Sequence, residues 1–135
     1  MRRLSPVLAL VLAALLLAVA GCGGSDESDE ESATPAEAVE EIGEIKTMLA
    51  IAVGQVRDGD AEAAEETVGD AYLEHFEHVE GPLGERDHEL MEQLEEAIST
   101  DLRNDIKDCK SANEIQTEVD AIEAELDQAV EALQG

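Results

Sequence analysis

Apolar residues recur every three or four positions from residue 34 onward, the spacing expected for the buried face of an α-helix. Short polar segments divide this pattern into four stretches. Their apolar positions are Val39, Ile42, Ile45, Leu49, Ala52 and Val56 in the first; Ala64, Val68, Tyr72, Phe76 and Val79 in the second; Leu90, Met91, Leu94, Ile98, Leu102 and Ile106 in the third; and Ala112, Ile115, Val119, Ile122, Leu126, Ala129 or Val130, and Leu133 in the fourth. The pattern predicts four helices, each with one face toward a shared core.

Local signals mark where the helices begin and end. Residues 34–37 (TPAE) and 111–114 (SANE) are capping boxes, so the first and fourth helices are predicted to begin there. Residues 58–60 (DGD) should end the first helix and cap the second. The second helix is predicted to end at residues 81–82, because proline lacks an amide hydrogen. Asp87 is the expected cap of the third helix.

Short connections between helices of about twenty residues place consecutive helices side by side in opposite directions. We therefore expect an all-α domain over residues 34–135, folded as an antiparallel up-down four-helix bundle. The composition agrees, since one Phe, one Tyr and no Trp leave Ala, Leu, Val and Ile to form the core.

The first 21 residues are typical of a secretion signal, with Arg2 and Arg3 followed by an apolar run over residues 8–20. Residues 19–22 (VAGC) match the lipobox of bacterial lipoproteins, in which a diacylglyceryl group is attached to the cysteine. We predict cleavage after residue 21 and lipidation of Cys22, so that membrane lipid anchors an extracytoplasmic protein. The alternative is an ordinary signal peptide with an incidental cysteine.

Residues 22–33 contain the lipidated cysteine and an acidic segment (GGSDESDEES) without an apolar side chain, and are predicted to form a flexible tether. The whole chain has a formal net charge of −26. Nucleic acid is excluded as a partner, because phosphate binding requires clustered cations.

Cys109 is the remaining thiol once Cys22 carries lipid. It lies near a predicted helix end and is interpreted as a free thiol, an intermolecular bridge or a small apolar filler, of which we favour the filler. A single cysteine gives no support for a structural zinc site.

Polar residues that interrupt the apolar pattern suggest a cation site. With about 100° of rotation per residue, His75 and Glu80 flank the apolar stripe of the second helix, and Glu95 lies on the core-facing arc of the third. We expect Glu77, Glu80 and Glu95 to converge inside the bundle, with His75 and His78 as further ligands. Such donors suit ferric iron, manganese or calcium. The alternative is that these residues occupy the boundary of the core by chance.

Four segments, taken in order, resemble a known domain: AYLxxFExxExxL at residues 71–83, DxxL at 87–90, LE at 94–95 and LRxxI at 102–106. Together they resemble the helical extracytoplasmic domain of bacterial high-affinity iron permeases and, more distantly, the imelysin-like periplasmic iron-uptake proteins. The resemblance implies a role in iron delivery. It also implies that Glu77 and Glu80 are the acids of the motif, with Glu95 on the next helix and Arg103 as the basic member.

The resulting hypothesis is a lipid-anchored protein that binds iron, as Fe3+ or Fe2+, or another hard cation, and assists a membrane iron permease. The alternative is a structural or interaction lipoprotein whose acidic surface binds an envelope partner and no metal. We expect no enzyme activity, because the sequence contains no phosphate-binding loop, nucleophile elbow or zinc-protease motif.

Overall fold

The computed structural model describes residues 33–135, which form four helices and no strand. The helices are α1 (Pro35–Asp58); α2 (residues 61–84, made of Ala61–Asp70, a π-helical segment Ala71–Phe76, and Glu77–Gly84); α3 (residues 88–107, made of His88–Glu96, a π-helical segment Ala97–Asp101, and Leu102–Lys107); and α4 (Ala112–Gln134). The prediction of an all-α domain with four helices is confirmed. The predicted signal peptide, the lipidated Cys22 and the tether before residue 33 lie outside the described residues.

The predicted helix starts and the end of α1 are present as hydrogen bonds and backbone angles. The Thr34 hydroxyl accepts from the backbone N–H of Glu37 at 3.3 Å, and the Ser111 hydroxyl accepts from that of Glu114 at 3.4 Å. Both glutamates reach back to complete the capping box. Gly59 ends α1 in the left-handed region, with φ of 83°, where glycine has no steric penalty.

The predicted end of α2 at residues 81–82 is wrong, because the helix continues to Gly84 with Pro82 inside its last turn. A proline this close to the end removes only one hydrogen bond from the helix. Leu83, one residue further on, is fully buried, and its packing favours the continued turn. The chain then leaves the helix with the Asp87 N–H donating to the Leu83 carbonyl at 2.7 Å.

The core follows the predicted apolar stripes, with small shifts in register. The buried apolar residues are Ala38, Ile42, Ile45, Leu49, Ala52, Val53, Ala64, Val68, Ala71, Phe76, Val79, Leu83, Leu90, Leu94, Ile98, Leu102, Ile106, Ile115, Val119, Ile122, Leu126, Ala129 and Leu133. Five residues of the predicted stripes are only partly buried, namely Val39, Val56, Tyr72, Met91 and Ala112. Within residues 33–135 the buried core contains no polar or charged side chain.

The two π-helical segments explain the register of α2 and α3. Residues 90, 94, 98, 102 and 106 are all buried, although each four-residue step in an α-helix overshoots a full turn by about 40°. The wider turn at Ala97–Asp101 offsets that drift and keeps the apolar side chains in line. In α2 the segment Ala71–Phe76 has the same effect. Its wider turn lets Ala71 and Phe76, which are five positions apart, both face the core. Ala71 therefore takes the core position expected for Tyr72.

The helices contact one another in a closed order: α1 contacts α2 and α4, and α3 contacts α2 and α4, with a smaller contact between the last part of α2 and α4. The first part of α2 contacts the last part of α3, and the last part of α2 contacts the first part of α3. Across α1 and α4, Lys46 pairs with Asp127 and Arg57 donates to the Gln116 side chain at 2.8 Å. No apolar stretch in these four helices is long enough to cross a bilayer.

The interpretation of Cys109 as an apolar filler is wrong, because its side chain is exposed in the turn between α3 and α4. Its backbone is in the left-handed region, with φ of 59°. That conformation reverses the chain after Lys107 and points the thiol away from the core, leaving the free thiol and the intermolecular bridge as the remaining interpretations.

Candidate functional site

Three predicted carboxylates lie near one another where the last part of α2 meets the first part of α3. Glu80 and Glu95 are half-buried and Glu77 is exposed. The negative charges of Glu95 and Glu77 both raise the pKa of the Glu80 carboxyl. The convergence of the three side chains on one ion stays a prediction. The expectation that they meet inside the core is wrong. They lie at its edge, because Phe76, Val79 and the aliphatic residues of α3 fill the interior.

Glu80 has the most perturbed environment of the three. Burial raises the pKa of its carboxyl above the usual range, the Tyr72 hydroxyl beside it lowers the pKa, and the negative charges of Glu95 and Glu77 raise it. One of its oxygens, Oε1, is fully buried and has no hydrogen-bond partner among residues 33–135. Buried polar atoms in proteins usually have such a partner, so Oε1 is free to accept a donor or a cation.

Tyr72 completes this group and was not predicted as a polar member of it. Its ring stacks on Phe76, with 5.9 Å between ring centroids and 26° between planes, which fixes the ring at the edge of the core. Burial raises the pKa of its hydroxyl to about 12, with further contributions from Glu80, Glu95 and Glu77. The four-residue spacing of residues 72, 76 and 80 was the available sequence signal, because it places all three along one line of α2.

The predicted histidine ligands lie elsewhere. His75 Nδ1 is 2.6 Å from Oε2 of Glu41, across the contact between α1 and α2, and the side chains of His75 and Glu41 are 22% and 31% exposed. His78 is exposed. No hydrogen bond or ion pair within the described chain joins either histidine to Glu77, Glu80 or Glu95, and no group of three His, Cys, Asp or Glu there is arranged to hold a metal ion.

A second group of charged residues links the first part of α2 to the last part of α3. Arg103 donates from Nε to Glu65 Oε1 at 3.0 Å and also from a terminal nitrogen, and Lys107 lies 3.1 Å from the same oxygen. The hydrogen bonds from Arg103 and then Lys107 hold the pKa of Glu65 below its usual range. The Arg103 guanidinium also covers Gly69, where a Cβ would lie 3.6 Å from its central carbon.

A third group joins α3 to α4 and includes one residue that sequence reasoning missed. The pKa of Glu118 is raised to about 7, first by burial and then by a hydrogen bond with Asp105 and the negative charge of Asp105. The charge of Asp101 makes a smaller contribution in the same direction. Asp105 itself pairs with Lys110, and the hydrogen bonds with Glu118 and Lys110 hold its pKa below the usual range. Glu118 sits beside the buried Val119 on α4, and that adjacency was the only signal in the sequence.

The first group therefore differs in chemistry from the other two. Arg103 and Lys107 neutralise the single acid of the second group, and Lys110 neutralises one acid of the third. Around Glu80 the neighbours that act on its ionisation are two acids and a neutral phenol, all hard oxygen donors.

Comparisons of the chain with protein-family models, with curated proteins and with solved structures find no match.

Proposed function

We propose that this chain is a lipid-anchored extracytoplasmic protein whose helical domain binds iron, or another hard cation, and assists a membrane iron permease. The domain is an antiparallel up-down bundle in this proposal, the arrangement favoured by the contacts of α2 with α3. Glu80, Glu95 and Glu77 are the ligands. His75 and His78 stay predictions, and a role for them requires side-chain movement toward the carboxylates.

The observation that carries this proposal is the buried, unpartnered oxygen of Glu80 beside two further acids. Holding carboxylates together without a cation costs stability, and a bound cation removes that cost. Carboxylates and waters are the ligands that hard cations prefer. The choice of iron as the ion and of a permease as the partner rests on the resemblance of residues 71–106 to the permease domain. Cys22 is the expected site of the lipid anchor.

Equilibrium dialysis of the purified chain against ferric citrate and against MnCl2, followed by metal analysis, tests the proposal. We expect about one tightly bound ion per chain, as for a single carboxylate site. The double substitution Glu77→Gln with Glu80→Gln should abolish it. The matched control, Glu62→Gln with Glu66→Gln, removes the same charge from exposed positions of the same helix and should retain it.

Equal loss of the ion in both double variants would indicate a general effect of charge and would contradict a defined site. Retention in both variants would contradict the assignment of Glu77 and Glu80.

The alternative, an interaction lipoprotein without a metal, is favoured by a different surface. Leu73 is 56% exposed and adjoins a depression lined by four acids and by Arg103, which is paired with one of them; the acids are Glu62, Glu65, Glu66 and Asp70. An exposed apolar side chain among acids fits a basic segment of an envelope partner. Under this alternative the chain binds no ion in the dialysis experiment, and Leu73→Ser weakens partner binding.

A further inference from the structure

One segment of α1 differs from the rest of this acidic chain in its charge. The chain has 34 Asp and Glu residues, yet none lies between residues 45 and 57. No other acid-free run within residues 33–135 is half as long. Depletion of charged side chains is the compositional sign of the centre of a protein–protein interface.

The outward side of this segment is open and nearly smooth. Five residues lie within an arc of about 100° on the side of α1 away from the core; they form the α1 face and are Gly43, Thr47, Ala50, Ile51 and Gly54. A Cβ built on Gly43 or Gly54 would meet no atom within 4 Å, so the described chain leaves the face uncovered there. Ile51 is 50% exposed, and among the large apolar side chains of residues 33–135 only Leu73 is comparably exposed.

The charges at the two ends of the α1 face make it complementary to itself. Glu44 precedes the acid-free run, and Arg57 ends it. In an antiparallel pair of α1 helices with a two-fold axis at residues 50–51, Arg57 of each copy lies level with Glu44 of the other. Asp58 then lies level with Gly43, which has no side chain. A parallel pair would instead place Arg57 level with Arg57 and Glu44 level with Glu44.

A second copy of this chain is also restricted in where it can approach. Two copies, each with a formal net charge of −26, repel each other wherever acids meet acids. On the α1 face, apolar and small side chains meet instead. The nearest cation beside it, Lys46, is already paired with Asp127 of α4.

We infer that the α1 face is the contact between two copies of this chain, packed antiparallel about a two-fold axis near Ile51. Small side chains let the two helices approach toward the short end of the usual interaxial distance of about 8–10 Å. Ile51 supplies the apolar centre from both copies, and Arg57 with Glu44 supplies one charged pair on each side of it. The contact uses neither α2 nor α3, so it is independent of the cation-binding function proposed above.

Sedimentation equilibrium of the purified chain at several concentrations, in about 0.15 M NaCl, tests the inference. We expect the mass to rise with concentration toward that of two chains. Ile51→Glu puts an acid into the centre of the contact from both copies and should weaken the dimer at least about hundredfold. The matched control, Leu73→Glu, makes the same charge change at a similarly exposed apolar residue of α2 and should leave the dimer unchanged.

A charge exchange tests the antiparallel orientation. Glu44→Arg alone and Arg57→Glu alone each place like charges level with one another and should weaken the dimer by about fivefold. The double variant restores opposite charges and should recover most of the loss.

A monomer at every concentration, a dimer that Ile51→Glu leaves intact, or an equal loss in Leu73→Glu would overturn the inference. A double charge variant weaker than both single ones would overturn the antiparallel packing. Circular dichroism shows whether each variant is folded. If Ile51→Glu does not fold, the charge exchange decides alone.

Discussion

The contact between α2 and α3 has two regions, and carboxylates are paired with cations in one of them but not in the other. In one, Glu65 on the first part of α2 lies against Arg103 and Lys107. In the other, Glu80 on the last part of α2 is influenced by Glu95 and by Tyr72, with no Lys or Arg acting on its ionisation. The same pair of helices thus carries one neutralised acid and one that is not.

The two regions respond to pH in opposite directions. The pKa of Glu65 is lowered, chiefly by hydrogen bonds from Arg103, so its stabilising contribution is present above the unfolded-state pKa and is lost as pH falls. The pKa of Glu80 is raised, chiefly by burial, so the chain loses stability as pH rises through the folded-state pKa of Glu80. One region contributes to the stability of the fold, and the other is retained at a cost, which is typical of binding sites.

Reversing the charge of Arg103 would leave Glu65 beside a like charge, as Glu80 is. We expect Arg103→Glu to lower the free energy of unfolding by about 2 kcal/mol, because Glu65 then faces a like charge and the side chain covering Gly69 is lost. Urea unfolding at pH 7 measures the change. The control Arg86→Glu makes the same charge change at an exposed position. A similar loss in both variants would refute a specific role for the pair.

The contact between α3 and α4 extends the comparison, because Asp105 is paired with Lys110 whereas Glu118 is not paired with a cation of its own. The pKa of Glu118 is about 7 in the folded chain against 4.5 ordinarily, so the folded state keeps a proton that the unfolded state loses. Stability should therefore fall as pH rises across that interval.

With allowance for solvent access, the part of this loss due to Glu118 is roughly 1–2 kcal/mol. Glu118→Gln should remove it, so the variant and the unsubstituted chain should diverge between pH 5 and pH 8 in unfolding measurements. Parallel pH profiles would contradict the raised pKa. Glu123→Gln on the same helix is the control.

Neutralising Glu80 should stabilise the metal-free chain, in contrast to any disruption of the Glu65 pair. Glu80→Gln is expected to raise the free energy of unfolding at pH 7 by about 1 kcal/mol, because an amide costs less to bury than a charged carboxylate and can donate to the neighbouring acids. Thermal unfolding in the presence of a chelator measures this gain. A loss of stability would mean that the carboxylate of Glu80 is structurally required, and Glu85→Gln provides the exposed control.

The smallest effect should come from Glu77, which is exposed. Glu77→Gln should change the unfolding free energy by less than about 0.5 kcal/mol, because solvent screens its repulsion of Glu80. Any gain should disappear in 1 M salt, where the Debye length is about 3 Å. A salt-independent gain would point to a direct contact instead.

Helix number and helix starts were predictable because they depend on neighbouring residues. Thr34 with Glu37, and Ser111 with Glu114, form capping boxes within four residues of sequence, and Gly59 supplies the left-handed end of α1. Such interactions form locally, whatever the rest of the chain does.

The site was only partly predictable because its geometry depends on helix rotation. A uniform rotation per residue placed Tyr72 in the core and Glu95 on the core-facing arc, whereas the π-helical turns moved Tyr72 to the edge. The repeated four-residue spacing from Leu90 to Ile106 was a sign of such turns. The pairing of His75 with Glu41 had no comparable signal, since it joins two helices whose relative rotation the sequence pattern leaves open.

Crystals of the chain grown with MnCl2 offer the most direct test of the central claim, that the acids left without a cation between α2 and α3 form a cation site. Anomalous scattering locates manganese without reference to affinity or stability. The account predicts a peak within about 2.5 Å of carboxylate oxygens of Glu80 and Glu95, a normal ligand distance for a hard cation. Peaks found only elsewhere, such as between Asp105 and Glu118, or no peak at all, would contradict it.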